Sequence, residues 1–342
     1  MTSAVHPFPE PKIRNATRRR LTQVAGAGLV MLAAAVPFRA SVADDDFPSR
    51  PVTIILPQPP GGAADRLMRT IAAALESKWG QSVIVMSRPG GGAVVGTLAT
   101  ARSAPDGYTI GLTSSSLSIN AALERDLPYD GMKDLDPLIR LGYYSLGIVA
   151  ASDFPADTVA DLVKMVKEEP GKIMYGSNGA FTAAHVAGEM LNKLAGIEMP
   201  HVPYNGAAGM YNDIRGGTLR LGFSVVSSAI PFIQSGDMKV LGMTSAQRSP
   251  LFPDWPAISE SVPGYETLSW AGFVVPAGTP EDRKQKLAKD LLEVLARPEV
   301  RQAMDAMGFE LSPQGPEEFA EFVRAETERY RGMAKEIGAS LN

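Results

Sequence analysis

From Pro51 onward, short β-branched and apolar runs alternate with stretches of helical period, and that rhythm limits the possible folds more than any single motif. "PVTIILP" leads into a helix over 64–79, "SVIVMSR" into one over 96–103, and "YTIGLTSSS" follows. Strands that alternate with helices pair in parallel through crossover connections, so the expected class is α/β. In the first helix Leu67, Ile71, Leu75 and Trp79 share a face, whereas Arg66, Arg69, Glu76 and Lys78 fall largely outside it. Such a helix packs one side on a sheet.

After "PLIRLGYYSLGIVAAS" the rhythm restarts with a helix over 158–169, strand "KIMYGS", helix 183–195, strand "EMPHVPY", helix 207–215 and strands "LRLGFSVV" and "MKVLGMTS". This reads as a second α/β unit. "LSWAGFVVPAGTPEDRKQKLAKDLLEVLA" then adds a strand and a long helix, with Thr279 as N-cap, Pro280 at the first helical position and Asp282 at the third. Two helical stretches, 299–307 and 317–337, close the chain and offer no strand for a third sheet. The tail is therefore expected to return to the first unit. That gives lobe 1 as 44–143 with 268–342, lobe 2 as 144–267, and two crossings that form a hinge over a cleft.

Residues 1–43 read as an export signal. Arg14, Arg18, Arg19 and Arg20 precede an apolar run from Val24 to Phe38 and the small triplet Ser41-Val42-Ala43, so cleavage is expected after Ala43 and delivery to the periplasm. "TRRRLTQVA" suits either the general secretory or the twin-arginine route. Lys12 and Arg14, Arg18, Arg19, Arg20 and Arg39 against Glu10 leave that segment five net positive charges, so the remainder moves from −4 to −9. A nucleic-acid or anionic-membrane partner does not fit that charge. The chain has no cysteine, which excludes disulfides, thiolate nucleophiles, iron–sulfur clusters and cysteine-ligated zinc.

The candidate chemistry lies in glycine-rich junctions between strand and helix. Such a turn exposes backbone N–H groups where the helix dipole is positive, which makes an anion site without a cationic side chain. Residues 57–62, 87–96 and 175–185 are junctions of this kind, the last with Ser177, Asn178 and Thr182; "LTSSS" adds Thr113, Ser114 and Ser115. All are expected on one rim, beyond the C-terminal ends of strands. Gly90, Gly92 and Gly96 do not complete a dinucleotide fingerprint, and no acidic residue ends a following strand. His185 and His201, the only histidines after the signal, stand in no recognisable triad or metal spacing. No metal, cofactor or catalytic residue is expected.

The chain resembles the periplasmic substrate-binding proteins of tripartite tricarboxylate transporters, the Bug family. The stretches that carry the resemblance, in order, are "FPSRPVTIILP", "PGGAAD", "SRPGGG", "APDGYTIGL", "LPYD", "GSNGAFTAAHVAGEML", "HVPYNG", "MTSAQRSP", "FVVPAGTP" and "PEEFAEFV". The resemblance implies a two-lobed periplasmic binding protein fold of the type II, Venus-flytrap kind, with a ligand carboxylate between the lobes. It implies that Pro60, Gly61 and Gly62 face the ligand with Asp65, and that the turn from Ser177 to Thr182 does so from the other side. Asp65, acidic beside an anion site, is expected to brace the turn or a water. Three departures concern the ligand. Ser224 stands where members often carry Asp, removing a partner for a ligand ammonium; Phe181 fills a turn position that is commonly small; and Asn205, after Tyr204, replaces a common Lys.

A carboxylate without an amino group is the expected ligand, with Phe181 or Trp270 as candidate partners for a ring and the membrane subunits of the transporter as protein partners of a monomer. A carboxylate sensor for a membrane kinase uses the same closure and stays an alternative. An exported flavin or nicotinamide enzyme is the third reading.

Overall fold

The computed structural model describes residues 47–123 and 126–337. The signal at 1–43 lies outside them. The elements run β1 (Val52–Leu56), α1 (Ala63–Trp79), β2 (Val83–Ser87), α2 (Val94–Ala101), β3 (Thr109–Ser114), α3 (Ser115–Ala122), β4 (Leu135–Tyr144), β5 (Leu146–Ala151), α4 (Val159–Glu168), β6 (Tyr175–Ser177), α5 (Ala183–Ala195), β7 (His201–Pro203), α6 (Ala207–Arg215), β8 (Leu221–Val225), α7 (Ile230–Gln234), β9 (Met238–Met243), β10 (Ser269–Pro276), α8 (Glu281–Leu295), α9 (Pro298–Ala306), β11 (Phe309–Gln314) and α10 (Pro316–Ile337).

The strands form two sheets, ordered β11-β4-β10-β3-β1-β2 and β7-β6-β8-β5-β9. β1 pairs in parallel with β2 and β3, and β10 runs antiparallel to β3 and β4. β1 is an interior strand: Val52, Ile54, Ile55 and Leu56 are buried, the near-continuous apolar reading of a strand covered on both faces. In the second sheet β6 lies parallel to β7 and β8, while β5 runs antiparallel to β8 and β9. The chain passes from the first sheet at Tyr144 to the second at Leu146, and returns between Met243 and Ser269.

α1 buries Leu67, Met68, Ile71, Ala72 and Leu75, spaced three and four apart as one helical stripe requires, and ends on Gly80, whose φ of 65° supports the left-handed cap. Trp79 Nε1 donates to Asp290 Oδ2 at 2.8 Å, which ties α1 to α8. Leu287, Leu291, Val294 and Leu295 of α8 and Val300 and Met304 of α9 enter the same core as β1 and α1. Phe319 and Val323 of α10 pack with Trp270 and Leu117. The second core gathers Ile148, Leu162, Tyr175, Leu191, Met210 and Phe223.

Some sequence expectations change. The tail does contain a strand: β11 adds to the edge of the first sheet beside β4, with an irregular register between Leu311 and Gln314 around Pro313. An edge tolerates a proline because one side of its ladder is unpaired. "SSS" opens helix α3 where only a turn was expected. In α8, Pro280 occupies the N-cap and Glu281 is the first helical residue; the Thr279 hydroxyl donates instead to Pro276 O at 2.7 Å.

Candidate functional site

Between the two sheets lies a cleft of about 890 Å³. Its walls are turns at the C-terminal ends of parallel strands, where open α/β sheets hold ligands. The first sheet supplies the β1–α1 turn with Pro57–Gly62, the β2–α2 turn with Gly90–Ala93, and Ser114–Ser116; the second supplies 178–184, 203–208, Ser224 and Val225.

Four helices open on this cleft without a side-chain cap: α1 from Gly62, α2 from Ala93, α3 from Ser114 and α6 from Gly206. In the β1–α1 turn, Gly62, Ala63 and Ala64 N–H have no acceptor among the described residues. Each such N–H carries part of the positive pole of its helix. A carboxylate placed here would meet donors from both lobes.

Asp65 does not line the cleft. It is buried and braces the turn from behind, its Oδ2 accepting from Gly61 N–H at 3.0 Å and from Arg69 Nε at 3.0 Å. Burial pushes its carboxyl up, but the bonds from Arg69 and Gly61 outweigh burial and hold it below its ordinary value. The Gly61 N–H is thus engaged by the protein, although Gly61 itself lines the cleft.

Of the other expected contacts, Pro60, Gly61, Gly62, Ser114, Ser115, Asn178, Phe181, Thr182, Tyr204, Asn205 and Ser224 line the cleft. Thr113, Ser177 and Trp270 do not. Side chains alternate along a strand, so Ser114 and Ser269 face the cleft while their neighbours Thr113 and Trp270 turn away. Trp270 is fully buried, edge-on to Phe319 at 5.7 Å and Phe322 at 5.6 Å, and is not available to a ligand ring.

Ser177 is fully buried at the end of β6, its Oγ donating to Gly179 O at 2.9 Å and lying 2.7 Å from His201 Nε2. The His201 ring stacks on His185 at 3.9 Å, and His185 Nδ1 accepts from Phe181 N–H at 3.2 Å. That bond secures Phe181 at a φ of 60°, a left-handed conformation that costs a side-chain-bearing residue about 1–2 kcal/mol. The histidines are therefore the rear brace of the 178–182 turn.

Burial holds both imidazoles neutral, His185 down to about 4 and His201 to about 3, the second lowered further by its neighbour's charge. An unfolded imidazole binds its proton near 6.5. Between pH 6.5 and 4 the unfolded chain therefore holds more protons than the folded one, and stability falls as pH falls. For His185 the loss across that window is about 3 kcal/mol. Urea unfolding at pH 7 and pH 4.5 should show it, and His185→Gln should remove its share of the pH slope.

Several lining residues were not singled out from the sequence. Arg66, one position beyond Asp65, is the one charged lining residue among those described; Tyr144, Tyr211, Asn212 and Phe232 also face the cleft. Tyr211 Oη lies 2.7 Å from Ser224 Oγ, so the serine that replaces a common aspartate is tied to its own lobe. The signal available for Arg66 was its place in the first turn of the helix that follows the glycines.

The lobes touch across the cleft mouth. Gly92, at φ 65°, lies so close to the second lobe that a Cβ there would stand 2.6 Å from Ala180 O. Gly206 faces Pro59 in the same way, with 3.2 Å between a built Cβ and Pro59 Cγ.

The family model described as "Tripartite tricarboxylate transporter family receptor" matches residues 67–339. A UPF0065 protein from the tcbD-tcbE intergenic region of Pseudomonas sp. strain P51 is 32% identical over 340 residues, covering 99% of this chain and 100% of its own. Among solved structures, the periplasmic binding protein BugD is 30% identical with a TM-score of 0.80, covering 85% of this chain and 99% of its own. R. palustris Rpa4515, solved with adipate, is 30% identical with a TM-score of 0.81 and covers 86% of this chain and 99% of its own.

Proposed function

This chain belongs to the tripartite tricarboxylate transporter receptor family, and on that premise we propose that it captures a small carboxylate in the periplasm and presents it to the membrane subunits of such a transporter. The observation that carries the reading is the set of uncapped helix starts, α1, α2 and α3 from one lobe and α6 from the other, opening on a single cleft. Micromolar affinity needs about 8 kcal/mol net, and charge-assisted hydrogen bonds contribute about 1.5–3 kcal/mol each. Several amide bonds to one carboxylate, made from both lobes, reach that range and favour closure.

The ligand class follows from what lines the cleft. No Asp or Glu is among the described lining residues, so a ligand ammonium would be desolvated without a counter-charge. Diacids and other carboxylates without an amino group fit, with Phe181 as the candidate partner for a ring; the adipate complex of the R. palustris protein agrees with that class. Lobe 1 comprises 44–144 and 268–342 and lobe 2 comprises 145–267, the first crossing falling one residue beyond the expected 143 because Tyr144 still pairs within β4. Export uses the signal at 1–43, and the mature chain acts as a monomer that binds its ligand without transforming it.

Differential scanning fluorimetry with succinate, adipate, citrate, benzoate, aspartate and glutamate tests the reading. Stabilisation by one or more of the first four is expected. Stabilisation by the amino acids alone would show that the cleft holds an ammonium after all.

A further inference from the structure

We propose that Arg66 sets the specificity of the cleft by holding a second acidic group of the ligand between the lobes. The proposal rests on the carboxylate-binding reading above and adds to it a direct ionic contact from lobe 1.

Arg66 is the one charged residue lining the cleft among the described residues, and no carboxylate pairs with it there; its guanidinium makes one hydrogen bond, Nη1 to Gly61 O at 3.2 Å. Arg69, one turn further along α1, is by contrast paired with Asp65 at 3.0 Å. Arg66 sits in the fourth position of α1, close to the helix pole that disfavours a cation. The charge thus opposes the dipole of its own helix while it deepens the positive potential around the uncapped amides.

Tyrosines from both lobes line the same cleft as this guanidinium. Tyr144, at the end of β4 in the first sheet, has a buried hydroxyl with no partner among the described residues. Tyr211 stands on α6 in the other lobe. Burial pushes both hydroxyls up, Tyr211 to about 12, and the nearby Arg66 charge pulls each back. A carboxylate offers about four acceptor sites. The three amides of the β1–α1 turn without an acceptor among the described residues, those of Gly62, Ala63 and Ala64, would supply most of those before any other helix start is counted. The guanidinium fork and the Tyr144 hydroxyl form a further donor set, and a fork of N–H groups matches a second carboxylate.

The test titrates the full mature chain calorimetrically with linear diacids from succinate to suberate and with their monomethyl esters, which keep the length but cap one acid. The wild type should prefer a diacid over its half-ester by about 10- to 100-fold. Arg66→Gln, a change at an exposed position whose fold circular dichroism can verify, should erase that preference. Arg66→Lys, which keeps the charge without the fork, should retain part of it. A preference that survives in Arg66→Gln, or none in the wild type, overturns the proposal and leaves the carboxylate reading standing. Absence of binding to every diacid and half-ester overturns the proposal, and citrate and benzoate in the fluorimetry panel then decide the carboxylate reading separately.

Discussion

Gly92→Val is expected to weaken ligand binding by about 100-fold while lowering the melting temperature by only a few degrees, because it obstructs closure more than folding. Gly92 belongs to the first lobe, yet its nearest neighbour across the mouth is a main-chain carbonyl of the second, Ala180 O, 2.6 Å from where a Cβ would stand. A carbonyl in a braced turn cannot swing aside as a flexible side chain would, so the lobes must part. A ligand that needs donors from both lobes then binds only in proportion to the closed fraction that remains. The residue's φ of 65° adds a local cost of about 1–2 kcal/mol for any side chain, whether the cleft is open or closed. Titration calorimetry gives the affinity, and small-angle scattering with saturating ligand gives the degree of closure. Wild-type affinity in Gly92→Val would mean that closure at this contact is not required.

Ala63→Pro should lower affinity by about 10- to 100-fold with the fold intact, the effect of removing one charge-assisted bond. Ala63 is the first residue of α1, where proline is well tolerated because the lost N–H has no helical partner. The preceding Gly62, at φ −80° and ψ −178°, already has the extended backbone that a following proline requires. The substitution therefore deletes an amide aimed at the cleft and little else. Ala63→Gly keeps the N–H and should bind like the wild type. Equal affinity in the proline and glycine variants would rule out the Ala63 amide as a ligand donor.

Much of the fold was legible because its signals are local. Helices over 183–195 and 207–215 were read with their observed bounds, since 3.6-residue periodicity and the residues at each end specify them. β11 was missed because "FELSPQ" is half-buried and contains a proline, which only pairing with β4 makes into a strand. α3 was missed because three serines read as a turn until a following apolar helix face finds α10 and α5 to pack against. In the site, glycine turns were visible as exceptional backbone. The rear braces, Asp65 on Gly61 and the His185–His201 pair behind 178–182, needed spatial neighbours that no spacing reveals.

By itself the sequence determined an α/β chain with glycine-rich helix starts and no thiol chemistry, because strand and helix periods, capping and turn dihedrals depend on residues a few positions apart. The tertiary structure alone decided which side chains face the ligand: Ser269 and not Trp270, Gly61 and not Asp65, and Arg66 as the cleft's charge. Facing depends on strand register, helix rotation and what is packed behind, and those are fixed by contacts between residues far apart in the chain.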